Sequence, residues 1–219
     1  LVGVVSRFLA VLPEISASPY SLGWSEGGLH WTSSLFWSQA IYSRSFPTPI
    51  LDSVRFFIYS LPLLLPNISI FGERVWMVGL GLAANAAAAA LLIRRLHLSS
   101  KKLAWTAAAW MFLFLAQAPI YFHLLLTVIP VLWLFDRRKP ALSLAVVVLS
   151  SMFAGLCRIN WFPAPGVLAA ALFLLEQPRE KKPLLRYLAW PAIWTALGTA
   201  AAFAVQQIYM RLSGNPLEL

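Results

Sequence analysis

The stretch Ser21-Leu-Gly-Trp-Ser-Glu-Gly-Gly-Leu-His30 places one carboxylate, Glu26, among glycines and a tryptophan, four residues before an imidazole, His30, in a chain otherwise rich in apolar residues. A carboxylate in such a setting can take the proton of an acceptor hydroxyl, or hold that acceptor or a divalent metal. Further on, Arg158-Ile-Asn-Trp161 offers a guanidinium whose planar fork suits a phosphate, with Asn160 and Trp161 beside it. His123 and Arg7 complete the candidate set. There is no metal-ligand spacing, no glycine-rich phosphate loop and no G-x-S-x-G motif. Of the acids near Glu26, Glu14 follows Pro13 at the end of the opening apolar run, Asp52 suits a helix N-cap, and Glu73 precedes Arg74 at the start of a span. Glu26 has no such local role, and Gly27 and Gly28 place it in a flexible turn. Each candidate also has an ordinary use: Glu26 as a solvated loop acid or cap, the histidines as interfacial polar residues, and Arg158 as a snorkelling cation. Trp24, Trp31, Trp37 and Trp161 can serve as interface anchors.

The elements that must position these residues follow from composition. Only 11% of the 219 residues are charged and 60% are apolar, with ten Trp and 14 Phe. That is too few charges to cover a soluble domain, whereas several runs approach the ~20 apolar residues that cross a hydrocarbon core. The reading is an all-α, polytopic transmembrane bundle of about seven spans. It forms a single transmembrane domain over 1–219, taken as an excerpt of a longer chain that begins inside a first helix. The further spans are expected at 73–93, 103–118, 119–135, 140–157, 161–176 and 187–209. The net charge of +9 does not indicate nucleic acid, because the cations sit in short clusters between apolar runs. Arg94, Arg95, Lys101 and Lys102, then Arg137, Arg138 and Lys139, then Arg179, Lys181, Lys182 and Arg186 occupy alternate loops. The positive-inside rule makes those loops cytoplasmic. Residues 14–72 then form a first extracytoplasmic loop, and the turn at Ala118-Pro119, the stretch Cys157–Pro165 and the C-terminus share its side. Arg7, Arg44, Arg55, Arg74, Arg158 and Arg211, the remaining basic residues, all belong to outer segments. Cys157 alone excludes an internal disulfide and reads as a packing residue.

Within the outer loop, Trp31, Leu35 and Tyr42, with Trp37 and Ile41, are spaced for one helical stripe, while Thr32, Ser33, Ser38 and Gln39 fill the other side. Val54–Ile70 is apolar enough to raise the possibility of another crossing. Pro62 and Pro66 interrupt it and Arg55 lies near its start, so it is read as a second interfacial helix. The Ala-rich run Asn85–Ala90 reads as a close helix contact.

A first helix with Arg7 near its outer end, the acid of Leu22-Gly-Trp-Ser-Glu-Gly27, amphipathic juxtamembrane helices before the next span, and the later Arg158-Ile-Asn-Trp161 together resemble the N-terminal half of the GT-C glycosyltransferases. The chain departs from many members in having Ser25-Glu26 where they carry an Asp-Glu or Asp-rich pair. The resemblance implies an inverting transfer of a sugar from a polyprenyl-phosphate carrier to an acceptor, on the outer face of a bacterial cytoplasmic membrane. Glu26 would be the catalytic residue, with a divalent metal left open. Arg158, His30, His123, Asn160, Trp161 and Arg7 would bind substrate, with Arg158 facing Glu26 across a cavity. Membrane lipids and the lipid-linked sugar would be its partners. A second reading, which needs no Glu26, is a non-catalytic membrane subunit that docks other membrane proteins. A transporter ranks last, since Asn85, Thr127 and the Gln206-Gln207 pair are nearly all the polarity inside the spans.

Overall fold

The computed structural model describes residues 2–23, 25–117, 121–177 and 183–215. The expected turn at Ala118-Pro119, together with Trp24, Arg179, Lys181 and Lys182, lies outside the described residues. Every described element is helical, with no strand among the described residues. The α-helices are α1 (Val2–Val11), α2 (Glu26–Ser34), α3 (Ser38–Tyr42), α4 (Ser53–Ser60), α5 (Ile70–Arg95), α6 (Lys101–Gln117), α7 (Phe122–Leu134), α8 (Pro140–Gly155), α9 (Ala164–Glu176) and α10 (Leu184–Leu212).

Among the described residues three helices are long and apolar enough to cross a membrane: Ile70–Arg95, Ile159–Glu176 (a 3₁₀ turn running into α9) and Leu184–Leu212. This is fewer than the seven or so crossings expected from the apolar runs. Two of the missing crossings have a local cause, because the run read as 119–135 yields a helix of 13 residues and that read as 140–157 one of 16. At 1.5 Å per residue these extend about 20 and 24 Å, short of a ~30 Å core. The intervening Asp136-Arg137-Arg138-Lys139 forms a hydrogen-bonded turn, with Lys139 N–H donating to Asp136 O at 2.9 Å, and Pro140 starts the next helix. Apolar side chains nonetheless cover the outside of the long helices: only 22, 33 and 22% of the three most apolar windows are buried. Surface of that kind calls for lipid or a partner.

Val54–Ile70 is not continuous. α4 passes into a 3₁₀ turn at Leu61–Leu64, and Leu65, preceding Pro66, is extended with ψ 132°, as a residue before proline prefers. The resulting Ser53–Leu64 piece is too short to cross. Asp52 does take the N-cap position, but at a left-handed φ of 51° and without a side-chain capping bond. Ser69 caps α5 instead, its Oγ accepting from Gly72 N–H at 3.2 Å. Glu73 in the first turn and Arg94 and Arg95 in the last complement the dipole of α5.

The chain forms two compact units, one running through Phe122 and including the segment from Ser213, the other spanning His123–Leu212. In the first, α5 packs on α6 with Ala84, Ala88 and Ala89 buried, α1 meets α6 through Phe8 stacked on Phe112 at 5.9 Å, and α2 lies over α4. In the stripe on α2 and α3, Leu35 and Trp37 are half-buried and Gln39 is exposed. Ser33 and Ser38 are buried, whereas Trp31, Ile41 and Tyr42 face outward. Ser38 Oγ accepts from Phe46 N–H at 3.1 Å, whereas the Ser33 Oγ is buried without a hydrogen-bond partner. Trp37 Nε1 donates to Ser60 Oγ at 2.9 Å, tying this layer to α4.

The second unit is a three-helix packing of α8, α9 and α10, with α7 leading into it. Its close contacts depend on glycine: a Cβ at Gly155 would collide with Ala202 O, and one at Gly166 would lie 2.6 Å from Thr195 Cα. Trp194 is fully buried, edge-on to Phe135 and Phe173. Cys157 is buried, donating to Phe153 O at 3.3 Å.

Candidate functional site

Glu26 is not in a flexible turn. It opens α2, where a carboxylate is favoured by the helix dipole, and Gly27 and Gly28 are helical. A Cβ at either glycine would meet nothing within 4 Å, so the packing of this unit does not require them. Nor does Glu26 lack a partner. Arg74 Nε donates to its Oε1 at 2.7 Å and Arg74 Nη2 to its Oε2 at 3.1 Å, while Leu22 N–H donates to Oε2 at 2.6 Å.

Arg74 is buried at 3% exposure and makes five hydrogen bonds. Besides the two to Glu26, Nη1 donates to Ser16 O at 2.6 Å and Ser18 O at 2.9 Å, and Nη2 donates to Tyr20 O at 3.0 Å. A guanidinium has five N–H groups, so every donor is used. The cation at the start of α5 therefore folds the segment 16–22 around itself and has no donor left for a phosphate.

The second half of the cluster is His30. Its Nδ1 lies 2.6 Å from Glu73 Oε2, and its Nε2 lies 3.7 Å from Glu26 Oε1, beyond hydrogen-bonding reach. Nε2 is buried and carries no hydrogen bond. Glu73 thus reaches across to α2 rather than serving only the start of its own helix. The four side chains form a chain of alternating sign, Glu73, His30, Glu26 and Arg74, pinning α2 to the first turn of α5. Glu26 and Glu73 are each 14% exposed and His30 is 21% exposed.

Electrostatics follow from this order. The Arg74 bonds, helped by Leu22 N–H, outweigh desolvation and hold the Glu26 carboxyl down to about 2 from its ordinary 4.5. The bond to Glu73, reinforced by the charge of Glu26, raises His30 above its ordinary 6.5 against the opposing effect of burial. The consequences for stability have opposite signs. A depressed carboxyl contributes stability above pH 4.5 that is lost as pH falls toward 2, and a raised imidazole contributes stability below pH 6.5 that is lost as pH rises through its folded value. The thermal midpoint of the purified protein should therefore be highest between about pH 4.5 and 6.5. His30→Gln should flatten the alkaline side of that profile and leave the acid side in place.

The other candidates lie elsewhere in the fold. Arg7 is half-buried on α1, its Nε buried without a hydrogen-bond partner. His123, Arg158, Asn160 and Trp161 belong to the second unit. There His123 is fully buried in the first turn of α7, and Cys157 Sγ approaches its backbone carbonyl at 3.8 Å. Arg158 is exposed, at the extended N-cap of the 3₁₀ turn Ile159–Trp161. Asn160 is exposed and Trp161 half-buried. Of the seven candidates, Glu26 and His30 are the pair brought together within one unit, and Glu73 and Arg74 join them. Among the described residues no group of three or more His, Cys, Asp or Glu is arranged to hold a metal ion.

Comparison of the chain with protein-family profiles, with curated proteins and with solved structures finds no match.

Proposed function

We propose that this chain is a multi-pass membrane glycosyltransferase of the GT-C type, which moves a sugar from a polyprenyl-phosphate carrier to a hydroxyl acceptor on the extracytoplasmic face. The supporting observation is the buried, unbonded Nε2 of His30 held between two carboxylates. A buried nitrogen without a partner calls for an explanation, and an imidazole braced at Nδ1 by a carboxylate is a common form of general base. In this reading His30 Nε2 takes the acceptor proton. The acceptor oxygen bonds to the anomeric carbon, and the electrons of the broken carbon–oxygen bond leave with the lipid phosphate. Glu26, with its carboxyl near pKa 2, is a weak proton acceptor at neutral pH, so its part is to stay ionised beside the imidazolium that forms. Arg7, on α1 of the same unit, is a further proposed substrate contact.

One observation favours the alternative of a non-catalytic subunit: the five-bond saturation of Arg74 gives Glu26 a complete structural role. The deciding experiment reconstitutes the protein in vesicles with a radiolabelled polyprenyl-phosphate hexose and a range of hydroxyl acceptors. Label leaving the carrier, faster than in empty vesicles, supports the enzyme. No release from any carrier, in a folded preparation, supports the subunit.

A further inference from the structure

At the opposite end of α5 from the cluster, a crevice of about 350 Å³ opens between α5 and α6 at their connecting turn. Its lining has two halves. Arg94, His97 and Lys101 surround the end at the turn, while Ile93, Trp105 and Ala108 continue along the seam between the helices. Arg94 and Lys101 are exposed, and Trp105 is 78% exposed one helical turn beyond Lys101. Cations next to an outward tryptophan, above an apolar seam, mark the depth at which headgroups meet acyl chains.

Among the described residues no acid lines the crevice. No acid occurs between Glu73 and Asp136, so the carboxylates of α5 and α6 end at the far end of α5. Lys101 and Lys102 also occupy the first turn of α6, where cations oppose the helix dipole and no acidic residue offsets them. An anion between Arg94 and Lys101 would satisfy both conditions at once. The apolar half of the crevice requires that this anion carry a hydrocarbon chain.

We propose that the α5–α6 crevice binds an anionic glycerophospholipid of the surrounding bilayer, its phosphate between Arg94 and Lys101 and one acyl chain along Ile93, Trp105 and Ala108. The inference rests on the membrane placement of the chain and is independent of sugar transfer.

The test measures, by electron spin resonance, the association of spin-labelled phosphatidylglycerol relative to spin-labelled phosphatidylcholine with the protein in phosphatidylcholine bilayers. The wild type should prefer phosphatidylglycerol. Each of Arg94→Gln and Lys101→Gln should lower the preference about fivefold, toward none in the double variant. Arg94→Lys should retain it, which separates charge from misfolding. Arg137→Gln with Lys139→Gln, at the other basic turn, should leave it unchanged. Equal binding of the two lipids by the wild type, a preference that survives the double variant, or displacement of the lipid by millimolar inorganic phosphate would each overturn the proposal. Failure to enter the bilayer at all would overturn the membrane placement with it.

Discussion

Arg74→Lys is expected to free the segment 14–25 from α5 even though the charge is kept. The reason is a count of donors. Arg74 supplies five N–H groups to Glu26 and to the carbonyls of Ser16, Ser18 and Tyr20. An ammonium has three donors on a flexible stem and cannot reproduce the planar fork. At least two bonds to the cation are lost, and bonds to charged groups are the stronger ones, so the open form should rise about a hundredfold. Tyr20, 80% exposed in that segment, gives a direct readout, since chymotrypsin cleavage after it tracks the open population when opening is fast. Faster cleavage after Tyr20 is expected in Arg74→Lys, with the helical circular dichroism largely kept. Cleavage at the wild-type rate would mean that the guanidinium does not organise the segment.

The second large effect concerns rate. Loss of a positioned base typically costs about 10²–10⁴, and His30→Gln should show a loss of that size in sugar transfer. The substitution leaves the Arg74–Glu26 pair intact, and the amide of Gln can still donate to Glu73. Glu26→Gln is a less clean probe. Arg74 Nη2 and Leu22 N–H both donate to Oε2, and Arg74 Nε donates to Oε1, so whichever way the new amide turns, one donor faces another. Glu26→Gln should therefore lower transfer and also raise cleavage after Tyr20, whereas His30→Gln should lower transfer alone. If both variants lose activity only in proportion to their cleavage, the cluster is structural.

Much of the helical layout was legible because apolar run length and charge clustering are local properties. The start of α5 near Glu73, its basic end at Arg94 and Arg95, and the break at Pro62 and Pro66 could all be read from composition. The length of each helix could not, because a run such as 119–135 counts apolar residues whether or not they are helical, and α7 is only 13 residues long. The site was half legible. Glu26 and His30 stood out by type, but the residues that fix their chemistry, Arg74 and Glu73, lie 48 and 43 positions away in the chain. Both have local roles available at the start of a helix, and nothing in a single sequence distinguishes a local partner from a distant one. The spacing of the stripe on α2 and α3 was legible, but not which of its residues the protein itself covers. Serine reads as a solvent-facing residue, yet Ser33 and Ser38 are small enough to be buried where α2 and α3 pack. The packing in the second unit did leave a signal, in the spacing of Gly198 and Ala202 opposite Ser151 and Gly155.

The most direct test of the central claim is the pH dependence of sugar transfer by the wild type and by His30→Gln. Because a base must be neutral to accept a proton, the wild-type rate should climb as pH rises through the raised pKa of His30, above 6.5, and level off beyond it. That climb occurs where the stability contribution of the protonated ring is being lost, so activity and thermal midpoint should move in opposite directions. The account predicts that His30→Gln removes the climb and leaves a low, flat rate. A variant with the wild-type rate and profile would contradict it.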